Sequence, residues 1–183
     1  RMWNLVETGR LNHMQVAGSL DCWGPQAEYV RNGLDLAKFT SNFEFILNKT
    51  QITPSINSAM TALTIPTLPD LIERVNAWSK KREVYWSGMK AGDEHRLFLH
   101  PTIFGDKIIP LGLQKAIDMF ETNGDKIKSL QLENLKGITT ECKNTPEDKT
   151  QQKLLQIYLK ELDRRRGTDY KKLFPQFETL FSQ

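Results

Sequence analysis

Three observations predict an α/β fold for this chain of 183 residues. Segments of helical and strand pattern alternate three times between the start and Lys90, which is the sequence mark of parallel βα units. Helical periodicity alone then dominates from Leu113 to the end. Hydrophobic residues make up 39% of the chain, enough to bury a proper core. The expected architecture is therefore about three parallel strands with helices over residues 1–90. A mostly helical extension over 91–183 packs on them as part of a single structural unit.

Taken in order, MWNLVETGRLNH has the pattern of the later turns of an amphipathic helix, as if the chain were truncated ahead of it. MQVAGSL, Met14 to Leu20, is short and partly apolar and stops at Gly24-Pro25, as a buried strand ending in a turn does. PQAEYVRNG then has Pro near its start and Gly33 just past its end, the usual asymmetry of helix termini. Asp35 is placed to cap the next helix, whose stripe is Leu36, Phe39, Phe43, Ile46 and Leu47.

Gln51 to Ile65 is rich in Thr and Ile and reads as a second strand, with Pro54 confined to its beginning or to an edge. Thr67-Leu68-Pro69-Asp70 has the form of a capping box. Leu68, Leu71, Ile72, Val75 and Trp78 carry that helix to about Lys81. Lys80, Lys81 and Arg82 complement the helix dipole. EVYWSGM, Glu83 to Met89, is the third strand.

Beyond Lys90, LFLHPTIFGDKIIP is punctuated by Pro and Gly and reads as a long irregular connection. Leu113, Ile117 and Phe120 mark one helix, and Ile127, Leu130 and Leu135 a weaker second. Thr145-Pro146 opens a third that ends at Gly167. TDYKKLFPQFETLF supplies a final short amphipathic turn or two, interrupted by Pro175.

Composition narrows the function classes. The formal charge of +3 is spread thinly and does not point to nucleic acid or an anionic membrane. No apolar run reaches the roughly 18 to 20 residues of a membrane span, so a soluble, cytoplasmic protein is expected. Cys22 and Cys142 are far apart with no ligand-spaced neighbours, and His13, His95 and His100 have no metal-site spacing. No metal ligands are therefore assigned.

Ser19 and Asp21, two apart on a strand, share a face at the carboxyl end, where parallel α/β proteins bind ligands. A hydroxyl with a carboxylate suits ammonium or ribose hydroxyl groups, and Arg31 suits a carboxylate. The structural alternative, favoured by the residue types alone, is that Asp21 caps the following helix and Ser19 bonds a neighbouring carbonyl. Asn57, Ser58, Thr61 and Ser87 are weaker candidates for the same rim, and Trp23 and Trp86 are the better ligand candidates among largely packing aromatics. Cys22, beside Asp21, reads as a small buried residue, because the neighbouring charge disfavours its thiolate. Arg164, Arg165 and Arg166 either complement a helix dipole or clasp an acidic surface.

Three stretches carry a resemblance: GSLDCWGPQAEYVRNGLDL, INSAMTALTIPTLPDLIERVNAW and YLKELDRRRGTDYKKLFPQF. Together they resemble the later part of radical S-adenosylmethionine proteins of the twitch-domain-containing type, found in marine microbes and their phages. The likeness covers nearly the whole chain. It implies a partial (β/α) barrel in which MQVAGSLD, QITPSINSAM and EVYWSGM match the fourth, fifth and sixth strands. It also implies that Ser19, Asp21 and Arg31 lie near the methionyl and ribose groups of S-adenosylmethionine, with Asn57 added as a cofactor-binding candidate.

The CxxxCxxC loop that holds the family's [4Fe-4S] cluster is absent, and two cysteines are too few to replace it. The expected function is thus that of a C-terminal fragment. The parent would cleave S-adenosylmethionine reductively and abstract hydrogen from an unknown substrate. This chain alone would be inactive, without the cluster or the cofactor. The missing strands would leave an open sheet edge, and a homodimer through that edge is expected. The main alternative is a non-catalytic α/β module that binds a protein through its basic C-terminal helix. A cluster-independent enzyme using Asp21 and a histidine as acid and base is disfavoured, since no spacing supports the pair.

Overall fold

The computed structural model describes residues 2–90, 96–122 and 129–182. Three strands, β1 (Met14–Ser19), β2 (Ile52–Met60) and β3 (Tyr85–Lys90), form one parallel sheet in the order β1-β2-β3. Between β1 and β2 run α2 (Pro25–Val30) and α3 (Leu36–Leu47), and α4 (Leu68–Ser79) connects β2 to β3. A short helix, α1 (Met2–Glu7), precedes β1. The α/β alternation expected of residues 1–90 is the one observed.

Local chemistry accounts for most boundaries. The Asp35 carboxylate accepts from the Lys38 amide at 2.8 Å and caps α3. Pro25 opens α2 behind Gly24, whose φ of 81° is a left-handed value that suits glycine. In α4 the predicted stripe of Leu68, Leu71, Ile72, Val75 and Trp78 is buried throughout. Its Thr67, however, makes no side-chain cap. The run from Gln51 to Ile65 does not stay extended: the strand ends at Met60, and a 3₁₀ turn at Ile65–Thr67 leads into α4.

The connection after Lys90 is more regular than its Pro and Gly content implied. Two 3₁₀ stretches, Leu97–Leu99 and Pro101–Leu111, occupy it, broken at Gly105 with φ 55°. They bury Ile103, Phe104, Ile108 and Ile109, so this segment is core. There follow α5 (Leu113–Thr122), α6 (Ser129–Asn144), α7 (Lys149–Arg166), α8 (Tyr170–Leu173) and α9 (Gln176–Ser182). Ile127 lies outside the described residues. The helix expected from Thr145-Pro146 begins later, because Asp148 rather than Thr145 accepts from the Gln151 amide at 3.0 Å. Gly167, at φ 65° and ψ 30°, closes α7 as predicted.

One buried cluster extends from Leu20 through Trp78 and Phe104 to Leu180, joining the sheet and the C-terminal helices. Among the described residues, the sheet carries this cluster on one face. On that face Gly18 lets Phe39 of α3 approach, so that a Cβ there would sit 2.8 Å from its ring. Trp86, on the same face, stacks on Phe120 of α5 with ring centroids 5.6 Å apart. No described helix is long and apolar enough to cross a membrane.

Candidate functional site

The opposite face of the sheet is where the candidate residues gather. Side chains alternate along a strand, so Gln15, Ala17 and Ser19 of β1 share it with Ser55, Asn57 and Ala59 of β2 and with Tyr85, Ser87 and Met89 of β3. Gln15, Ala17, Ser19, Asn57, Tyr85 and Met89 are exposed there. Register brings Ser19 opposite Asn57, and Asn57 opposite Ser87. The result is a row of hydroxyl, amide and hydroxyl spanning about 10 Å across the carboxyl half of the sheet.

Asp21 and Arg31, the other two predicted residues, lie beside this row but are occupied with each other. Arg31 Nε donates to Asp21 Oδ2 at 2.8 Å and Nη2 to Oδ1 at 3.1 Å, a two-pronged pair. Asp21 Oδ1 also accepts from the Ala59 amide at 2.8 Å. The Asp21 side chain is 7% exposed and that of Arg31 39%. The carboxylate thus ties the end of β1 to β2 and to the residue after α2. It is not the cap of α2, whose N-cap is Gly24.

The weaker candidates divide. Asn57 and Ser87 lie on the uncovered face, whereas Ser58 and Thr61 are buried in structural bonds. The Ser58 hydroxyl donates to the Leu20 carbonyl at 2.6 Å and accepts from Trp86 Nε1 at 2.8 Å. Thr61 donates its amide to the Thr64 hydroxyl. Trp86 is therefore a packing residue with a satisfied N–H, which corrects its candidacy as a ligand-facing ring. Trp23 stands edge-on to Trp78 at 5.8 Å and lies beneath the Arg74 guanidinium. Tyr85 and Met89 were missed, although the alternation in EVYWSGM puts both on the face of Ser87.

Both thiols are buried. Cys22 is fully buried, and burial pushes its pKa up to about 12, more than the adjacent Asp21 does. Burial likewise raises Cys142 to about 11. His13 Nε2 is 3.0 Å from the Thr53 hydroxyl and His100 Nδ1 2.6 Å from the Thr102 hydroxyl, while His95 lies outside the described residues. Among the described residues no three His, Cys, Asp or Glu side chains converge as a metal set.

The three arginines also divide. Arg164 and Arg165 both pair with Glu161, at 2.8 and 2.6 Å, and Arg166 donates to the Tyr29 carbonyl at 2.8 Å. A concavity of about 450 Å³ opens beside the end of β3, where Lys90 pairs with Glu141 at 2.7 Å beside Glu133 and Asn134. No local pattern pointed to it, since Glu141 comes from α6.

Compared with models of protein families, with curated proteins and with solved structures, the chain finds no match.

Proposed function

We propose that the uncovered sheet face is one wall of a ligand chamber of the partial (β/α) barrel type. In this reading the chain contributes the C-terminal half of a radical S-adenosylmethionine protein. The observation that carries the reading is the Ser19–Asn57–Ser87 row on a face that parallel sheets ordinarily bury. The strand order β1-β2-β3, with no reversal, agrees with successive units of a barrel. The resemblance of SLDCWGPQAEYVR and LDRRRGTD to that family supplies the chemistry.

The residues fit the two cofactors unequally. Hydroxyl and amide groups of the row can donate to and accept from the carboxylate, ammonium and ribose hydroxyls of S-adenosylmethionine. Asp21, already held by Arg31 and the Ala59 amide, serves by fixing the end of β1 that carries Ser19. An iron–sulfur cluster does not fit this chain, since Cys22 and Cys142 are buried and held as thiols. Reductive cleavage of the cofactor and hydrogen abstraction therefore belong to the parent protein, and no step is assigned to this chain.

The edge of β1 supports the same reading. In a parallel pair alternate residues turn both backbone groups to the partner, and Met14 and Leu20 face β2. Gln15, Ala17 and Ser19 thus point theirs outward, ready to pair with a further strand of the parent or of a second copy. The upstream coding sequence is the first test: a CxxxCxxC ahead of Arg1 is expected, and a complete frame without one overturns the reading. In the full-frame protein, Asn57→Ala is expected to weaken S-adenosylmethionine binding about tenfold by calorimetry, the loss of one or two hydrogen bonds.

A further inference from the structure

A groove of about 580 Å³, a size that small-molecule sites occupy, runs between α3 and α4. Trp23 from the loop after β1, Ala37, Ser41 and Glu44 of α3, and Arg74 of α4 line it. Ala37 and Ser41 stand one helical turn apart, and their small side chains keep that wall low.

Arg74 is held in place but little used. Its guanidinium carbon lies 5.1 Å from the ring centroids of both Trp23 and Trp78, so two indoles fix its position. Among the described residues only Nη2 finds an acceptor, Glu44 Oε1 at 3.1 Å, and Nε is buried without one. A guanidinium offers several N–H groups, and a buried one left unpaired is rare in native structures. The side chain is nevertheless 34% exposed and lines the groove. Glu44 is half used in the same way. Its Oε1 accepts from Arg74 and, at 3.3 Å, from Trp78 Nε1, while Oε2 has no donor among the described residues.

This pairing of charges selects the ligand. A simple anion would meet Glu44 beside its arginine, and a simple cation would meet Arg74 beside its carboxylate. A molecule that carries both charges at close spacing avoids both penalties. In an α-amino acid the ammonium nitrogen and the carboxylate oxygens are about 3 Å apart. That spacing matches the 3.1 Å between Arg74 Nη2 and Glu44 Oε1. The carboxylate takes the open guanidinium N–H groups, and the ammonium takes Glu44 Oε2. An apolar side chain finds Leu36 and the Trp23 ring in the same groove.

We propose that the groove between α3 and α4 binds a free α-amino acid with a large apolar side chain, held head-on by Arg74 and Glu44. It uses no residue of the Ser19–Asn57–Ser87 row and does not rest on the cofactor reading.

Calorimetric titration of the full chain with L-phenylalanine tests it. The matched probes are 3-phenylpropanoate, which lacks the ammonium, and 2-phenylethylamine, which lacks the carboxylate. Phenylalanine is expected to bind with a Kd of about 1 mM or below, and each analogue about tenfold more weakly or worse. Tryptophan emission should change in step, since Trp23 lines the groove. Glu44→Gln should weaken phenylalanine about tenfold and strengthen 3-phenylpropanoate, a reversal that a purely structural ion pair does not produce. Arg74→Gln should abolish binding of both. If circular dichroism shows that variant unfolded, Ala37→Leu, at an exposed helical position, fills the groove and should abolish binding by itself. No binding of phenylalanine up to about 10 mM overturns the proposal. So do equal affinities for the three probes, and binding that survives Arg74→Gln or Ala37→Leu in a folded chain.

Discussion

The two faces of the sheet are built to opposite specifications. One carries Val16, Ile56 and Trp86 with two glycines, Gly18 and Gly88, that admit neighbouring rings to the backbone. The other carries Ser19, Asn57 and Ser87 in register, with Ala17 and Ala59 as small spacers. Parallel sheets are normally covered on both sides. The contrast teaches that stability here is concentrated behind one face, while the other, among the described residues, leaves Ser19 and Asn57 exposed.

The largest break in that contrast comes from the covered side. Trp86→Ala removes a stacked ring and leaves Ser58 without its donor, and should cost about 3–5 kcal/mol in urea unfolding. Asp21→Ala tests the junction between the faces. It strands the Ala59 amide and the Arg31 guanidinium, and because Arg31 is partly exposed the loss should be nearer 2 kcal/mol. Gly18→Ala would press a methyl group on Phe39 and Ile56, for a loss of about 1–2 kcal/mol.

Acid probes the layer behind the covered face. Hydrogen bonds from Lys107, Lys149 and Gln152 lower the Glu147 carboxyl from 4.5 to about 2. Its contribution to stability is therefore complete above pH 4.5 and lost as pH falls toward 2. Urea midpoints measured through that window should fall, and Glu147→Gln should flatten the decline. The smallest effect is expected on the bare face, where Asn57→Ala should shift stability by less than about 0.5 kcal/mol. A larger shift in the melting temperature would mean that this face is packed after all.

What was legible in the sequence was local. Asp35 and the stripes of α3 and α4 are set by spacings within a dozen residues, and those elements came out as expected. Alternation placed Ser19 and Asp21 together, but the weaker rim candidates were not sorted by face, and the structure divides them into Asn57 and Ser87 on one side and the buried Ser58 and Thr61. The partnership of Asp21 was not legible, because its second donor, Ala59, lies 38 residues away on another strand. The 3₁₀ path through Pro101–Leu111 was hidden for another reason. Its burial is dictated by α6 packing on it and by the turn ahead of α4, where a Cβ on Gly112 would lie 1.9 Å from the Ile65 carbonyl oxygen.

The clasp between α2 and the end of α7 has a consequence for how the molecule comes to exist. Tyr29 donates to Asp163, 134 residues later in the chain, and Asp163 also accepts from Thr168 and from the Tyr170 amide. At roughly 5–20 residues per second of synthesis, the helix beside Asp21 waits on the order of ten seconds for its fastening. Sheet and early helices can condense on the ribosome. The sheet end at Ser19 acquires its final support only when α7 and the start of α8 have emerged, so a ribosome stalled before Asp163 would hold a chain whose α2 is still unfastened.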